Sequence, residues 1–174
     1  MLVKEEGFTI KCILESYSGN QKDVVIPDYI DEVGKEAFYE SNIETVQIPE
    51  GVTYIGAAAF YRCLNLRSII IPNGVKDIES GAFESCHNLE SVVLPESLRW
   101  IGNNAFRSCN LKSVHLPNNV QQVFEDAFDE TCQLSGSIAE EYLESERKRR
   151  MHEKWLEEKM QDYYEKGENW KSKG

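Results

Sequence analysis

A solenoid of stacked, strand-bearing coils is the fold class this sequence predicts, and three observations predict it. The first is proline spacing: all five prolines of the 174-residue chain, Pro27, Pro49, Pro72, Pro95 and Pro117, stand 22, 23, 23 and 22 residues apart. The second is a set of Ala-Phe pairs, Ala37-Phe38, Ala59-Phe60, Ala82-Phe83, Ala105-Phe106 and Ala127-Phe128, with the same spacings. The third is an apolar rhythm ahead of the proline, Leu66, Ile69, Ile71, repeated as Ile43, Val46, Ile48, as Leu89, Val92, Leu94 and as Leu111, Val114, Leu116. Independent markers sharing one phase mean a repeat array. A coil of 22–23 residues holds a strand, a return segment and two bends, and is too short for a propeller blade of ~40–45 residues.

Residues 1–23 precede the first repeat. Phe8, Ile10 and Cys12 alternate with polar residues as in a strand, and Ser18-Gly19-Asn20 reads as a turn. This segment is expected to be an N-terminal cap over an otherwise open sheet edge. Glu5 and Glu6 stand where the apolar run of a signal peptide would begin, which points to a cytoplasmic location. No stretch approaches the ~20 apolar residues of a membrane helix.

Residues 24–134 form five repeats. In each, the Leu-x-x-Ile-x-Ile segment is a strand with its apolar residues inward, and the proline ends it because it cannot donate a ladder hydrogen bond. Val52 and Ile55, Val75 and Ile78, and Leu98 and Ile101 then line the returning side. The Ala-Phe pair follows in a short helical turn, where the small Ala lets the coil close and the Phe fills its centre. One coil cannot bury this face alone, but stacked coils can, at ~4.8 Å between neighbouring strands. Cys63, Cys86 and Cys109, each 23 apart, are expected to stack as a buried ladder of thiols. They have no Cys-x-x-Cys or Cys/His spacing, so no metal site is expected.

Residues 48–72, IPEGVTYIGAAAFYRCLNLRSIIIP, resemble the BspA-like class of leucine-rich repeats, and the resemblance extends over about residues 8–134. It implies a right-handed leucine-rich-repeat solenoid with a parallel β-sheet on the concave face. It also implies a non-enzymatic bacterial protein, secreted or at the cell surface, that binds proteins, cells or glycans. Two departures stand out. The usual glycine after the returning Ile or Val is present as Gly34, Gly56 and Gly102 but is replaced by Glu79 and Phe124. The fifth repeat shifts its cysteine to Cys132 and is read as an altered terminal cap.

Three outward rows cross the repeat strands. Lys22, Glu44, Arg67, Glu90 and Lys112 alternate in sign, which favours cross-strand pairing and disfavours a slip by one coil. Asp23, Thr45, Ser68, Ser91 and Ser113 form a largely hydroxyl row, and Val25, Gln47, Ile70, Val93 and His115 form the third. Ile70 and Val93 should be exposed apolar neighbours with polar residues around them. The candidate ligand-binding residues are therefore Gln47, Ser68, Ile70, Ser91, Val93 and His115. Residues 1–134 carry 10 basic and 20 acidic side chains, a balance that repels phosphate backbones and argues against nucleic acid.

Residues 135–174 change character. Ser137 and Glu140 make a capping box, and no Gly or Pro interrupts residues 138–166, which predicts a long C-terminal helix of about 43 Å at 1.5 Å per residue. Ile138, Tyr142, Leu156, Met160 and Tyr163 share a stripe, flanked by Trp155 and Tyr164 and interrupted by Arg149 and Glu153. Trp155, Leu156, Met160 and Tyr163 are the candidate partner-helix residues. Arg147, Arg149 and Arg150 can be paired by Glu144, Glu146 and Glu153 at helical spacing. No catalytic set, phosphate loop, cofactor motif or metal cluster is present in the sequence. The expected function is a non-catalytic scaffold binding a protein or a glycan on the concave sheet. The alternative is a homo-oligomer assembled through residues 138–166.

Overall fold

The structure, a computed structural model, describes residues 11–165, with side chains described for residues 11–161. In chain order the elements are β1 (Ile13–Leu14), β2 (Asp23–Val25), β3 (Glu32–Val33), β4 (Thr45–Gln47), β5 (Tyr54–Ile55), β6 (Ser68–Ile70), β7 (Asp77–Ile78), β8 (Ser91–Val93), β9 (Trp100–Ile101), β10 (Ser113–His115), β11 (Gln122–Val123), β12 (Gln133–Ser135) and α1 (Ala139–Glu165). They form two compact units, one ending at Ala139 and one beginning at Glu140.

The first unit is a parallel β-solenoid of about six turns. Even-numbered strands form one face and odd-numbered strands the returning face. The odd-numbered strands make one sheet, in the order β1-β3-β5-β7-β9-β11, with Val33, Ile55, Ile78, Ile101 and Val123 in register. The even-numbered strands are hydrogen-bonded in pairs, β2 to β4, β6 to β8 and β10 to β12. β4 lies beside β6, and β8 beside β10. Between the faces, every repeat proline opens a turn: the Pro27, Pro49, Pro72, Pro95 and Pro117 carbonyls accept the N–H of the residue three places on, at 3.0–3.2 Å.

The bend at the Ala-Phe pair is a run of hydrogen-bonded turns with a left-handed residue on each side. Glu36, Ala58, Asn104 and Asp126 have positive φ two residues before the Phe, and Gly81 fills that place in the third repeat. Glu40, Arg62, Ser85 and Ser108 have positive φ two residues after it. The reversals of hand turn alternate N–H groups along the stack. Phe38, Phe60, Phe83 and Phe106 thus donate to Ala59, Ala82, Ala105 and Ala127 of the next coil at 2.6–2.8 Å. Ordering left-handed L-residues costs roughly 1–2 kcal/mol each, offset here by inter-coil hydrogen bonds that keep buried backbone groups satisfied.

The core is the inward set expected from the repeat. Leu66, Ile69, Ile71, Val75, Ile78 and all five repeat phenylalanines are buried, whereas Ile48, Val92 and Leu94 are only half-covered. The rings form one column, with centroids 4.9, 4.9, 5.1 and 5.2 Å apart from Phe38 through Phe128 and planes within 8°. Beside it runs the thiol column. Cys63, Cys86 and Cys109 donate to the carbonyls of Phe38, Phe60 and Phe83 at 3.1, 3.0 and 3.2 Å. Burial pushes the Cys63 thiol up to about 12 and raises that of Cys86 as well. Cys109, also pushed up to about 12, is half-buried rather than sealed.

At the N-terminal end, β1 pairs in parallel with β3 and extends the returning sheet. Of the expected strand, Phe8 and Ile10 lie outside the described residues; Cys12 accepts from the Asp31 and Glu32 N–H groups. Tyr17 sets its ring 5.1 Å from Phe38, at the head of the phenylalanine column, and its hydroxyl closes the 18–20 loop onto Gln21. At the other end, β12 adds a strand with no proline of its own. Gly136 follows it at φ 115°, where a Cβ would stand 2.1 Å from the Leu116 carbonyl oxygen.

The second unit is α1, 27 residues long, close to the expected span; Lys166 and Gly167 lie outside the described residues. Its charged middle is paired as expected: Arg149 reaches Glu146 at 2.8 Å and Glu153 at 2.7 Å, and Lys148 reaches Glu144 at 3.4 Å. Among the described residues no helix is long and apolar enough to cross a membrane.

Candidate functional site

The even-numbered strands carry the three outward rows. Their alternation follows from the strand period of two: Val24, Val46, Ile69 and Val114 point in, so the flanking residues point out. Ser68 and Ser91 are in register, as are Ile70 and Val93, which are 69% and 52% exposed. The β6–β8 pair therefore brings four of the six candidate residues together. Gln47 stands on the neighbouring β4, in register with Val25, and His115 on β10. His115 Nδ1 lies 3.1 Å from the Ser135 hydroxyl, a partner supplied by β12. The charged row closes only in part. Lys22 reaches Glu44 at 2.6 Å, beside a 2.6 Å bond from the Thr45 hydroxyl to Asp23. Among the described residues the Arg67, Glu90 and Lys112 steps are not closed within 4 Å. The Glu44–Arg67 and Glu90–Lys112 steps cross the places where the even-numbered strands are not hydrogen-bonded. Arg67–Glu90 is exposed, and such a pair is worth at most ~1 kcal/mol.

On α1 the candidate residues Trp155, Leu156 and Met160 are all exposed, as is Met151. His152 stacks on Trp155 at 5.9 Å, and the Lys159 ammonium lies 5.9 Å from the same ring. The side chain of Tyr163 lies outside the described residues.

The returning face carries a feature that the outward rows of the repeat strands do not contain. Its first strand position reads Glu32, Tyr54, Asp77, Trp100, Gln122 in continuous register. Two places on comes the glycine column, Gly34, Gly56, Glu79, Gly102, Phe124. A Cβ on Gly102 would stand 2.5 Å from the Ser80 amide nitrogen, so this coil needs glycine to pack on the one before. The side chains of Glu79 and Phe124 flank that gap from the coils on either side. The result is a notch of about 190 Å³ lined by Asp77, Glu79, Trp100, Gly102 and Phe124. Trp100 is 51% and Phe124 38% exposed. Burial, and then the Glu79 charge, raise the Asp77 carboxyl above its usual value; burial and Glu79 likewise raise the Tyr54 phenol. The departures at positions 79 and 124 were the available sequence signal. Their meaning depends on Gly102 standing between them in space.

Among the described residues no cluster of three or more His, Cys, Asp or Glu side chains is arranged to hold a metal.

The BspA type leucine rich repeat model matches residues 15–135 in six copies. Among solved structures, the Treponema pallidum leucine rich repeat protein TpLRR is 35% identical, with 71% of this chain and 61% of that one covered and a TM-score of 0.66. A leucine-rich repeat protein from Bacteroides ovatus is 30% identical, with 76% and 38% covered and a TM-score of 0.63. The chain thus spans less than two thirds of the length of either. No curated protein matches the sequence. The periodic prolines, the stacked phenylalanines, the two-faced solenoid and a match over more than half its length agree: the chain belongs to the BspA type leucine-rich repeat family.

Proposed function

We propose that the solenoid is a non-catalytic scaffold that binds a protein partner on its even-numbered strand face. The observation that carries this reading is the in-register pair Ile70 and Val93, two exposed apolar side chains set side by side. Ser68 and Ser91 stand beside them, with Gln47 and His115 on the flanking strands. A small apolar centre inside a polar surround is the arrangement in which a few central residues dominate an interface. Membership of a repeat-scaffold family supports the class of function. The test is the double substitution Ile70→Thr with Val93→Thr. It keeps β-branching, so the solenoid should melt as the parent does. A partner captured by the parent should be retained by a Trp155→Ser, Met160→Ser variant and lost by the sheet variant. Undiminished binding by the sheet variant would reject the site.

A second reading rests on a separate observation. Trp155, Leu156 and Met160 are exposed apolar side chains on α1. They would support self-association through residues 138–166. Light scattering of the full chain beside residues 1–136 distinguishes the two: a mass that drops to the monomer only on truncation favours assembly.

A further inference from the structure

We propose that the Gly102 notch on the returning face is a binding site for a single cationic side chain, an arginine or lysine presented by a basic segment of a protein partner. Size comes first. At about 190 Å³ the notch lies below the ~300–1,000 Å³ of small-molecule pockets, and it suits one side-chain head rather than a whole ligand. Its chemistry is the second argument. Trp100 and Phe124 offer two exposed aromatic rings, and a guanidinium or ammonium over such a face is attracted by the ring quadrupole. Asp77 stands in register with Trp100 on the adjacent strand, so the carboxylate and the indole spring from backbones ~4.8 Å apart. Asp77 and Glu79 have no salt-bridge partner within 4 Å among the described residues. Lys76 and Arg99 act on the Asp77 carboxyl through space without forming an ion pair with it.

Charge complementarity decides between occupants. Residues 1–134 carry twice as many acidic as basic side chains, so the body attracts a basic segment at long range. A neutral sugar could stack on the rings but would leave both carboxylate charges uncompensated, and a phosphate would be repelled by them. A planar guanidinium meets both demands, stacking on the ring while donating to the carboxylates. This site is independent of the Ile70–Val93 site, which lies on the opposite strand set.

The experiment follows the indole N–H resonance of Trp100 by NMR in the full chain, with the Trp155 indole as internal control. Three probes are titrated: a blocked tri-arginine peptide, the same peptide with citrulline in place of arginine, and the neutral oligosaccharide cellotriose. The arginine peptide should shift Trp100 saturably and leave Trp155 in place, whereas citrulline and cellotriose should not shift Trp100. Asp77→Asn with Glu79→Gln should weaken the apparent affinity about tenfold, as expected when charge-assisted contacts become neutral ones. If that double variant does not fold, Glu79→Gln alone should weaken it in the same direction. Ile70→Thr with Val93→Thr should leave it unchanged. An equal shift by citrulline, an affinity indifferent to both carboxylate variants, or a Trp100 shift by cellotriose and not by arginine overturns the proposal; the last of these makes the notch a glycan site.

Discussion

Phe83→Ala tests the physical basis of the solenoid most directly. Phe83 is fully buried at the middle of the ring column, 4.9 Å from Phe60 and 5.1 Å from Phe106, with interplanar angles of 3° and 2°. Truncating a buried Phe costs about 3–5 kcal/mol in transfer and cavity terms. This ring also loses two parallel neighbours, each pair worth ~0.5–1.5 kcal/mol beyond burial, which puts the expected loss near ~5 kcal/mol. The backbone bond from the Phe83 N–H to Ala105 survives the substitution, so the coil should not collapse on its neighbour to refill the space. For a chain of this length ~1 kcal/mol shifts Tm by roughly 2–4 °C, so a fall of about 10–20 °C is expected. Because each coil is stabilised mainly by its neighbours, the break should also separate the two halves energetically and broaden or split the urea transition. Phe83→Leu keeps most of the apolar volume without the ring and should lose only about 1–2 kcal/mol. Circular dichroism melts and urea curves on the three proteins provide the measurement. A Phe83→Ala melt within error of the parent would refute the account of the core.

Four further outcomes are expected. Cys63 and Cys86 should resist a thiol reagent until the protein unfolds, while half-buried Cys109 should react first among the three; mass spectrometry after timed labelling reads the order. The same thiols make stability pH-dependent at the alkaline end. The Cys63 value rises from 9.0 to about 12 on folding, so above pH 9 the unfolded chain releases a proton that the folded chain keeps, and urea midpoints should hold below pH 9 and fall progressively towards about 12. Ala58→Gly should raise stability by about 0.5–1 kcal/mol in a thermal melt, because φ 53° strains an L-residue by more than the added chain entropy of glycine costs; Gly81 occupies the same place in the next coil. Gly136→Ala should lower stability by about 2–3 kcal/mol and speed hydrogen exchange at the Leu116 N–H, since the new methyl meets the Leu116 carbonyl and parts β12 from β10.

The solenoid, its period and its inward residues follow from periodicity alone, and the reason is combinatorial. A chain with Leu, Ile, Phe and Cys in one phase every 22–23 residues buries them together only by stacking its coils. Hence Leu66, Ile69 and Phe83 were legible as core, and Ile70 and Val93 as outward, from periodicity alone. Neighbour relations between coils were decided by the tertiary structure. Which face became the continuous hydrogen-bonded sheet depended on how the coils settle: the two-residue strands pair throughout, the longer ones two by two. The alternating charges from Lys22 to Lys112 read as a closed row, yet among these residues only Lys22–Glu44 is an ion pair; the Glu44–Arg67 and Glu90–Lys112 steps cross strand pairs that are not hydrogen-bonded, and an exposed pair such as Arg67–Glu90 gains too little to hold two long side chains together. The notch shows the distinction most clearly. Glu79 and Phe124 are visible in the sequence as exceptions in a glycine column, 45 residues apart. Only the stacking of three successive coils places Gly102 between them and Trp100 beside Asp77, because a site assembled across coils exists in no single repeat.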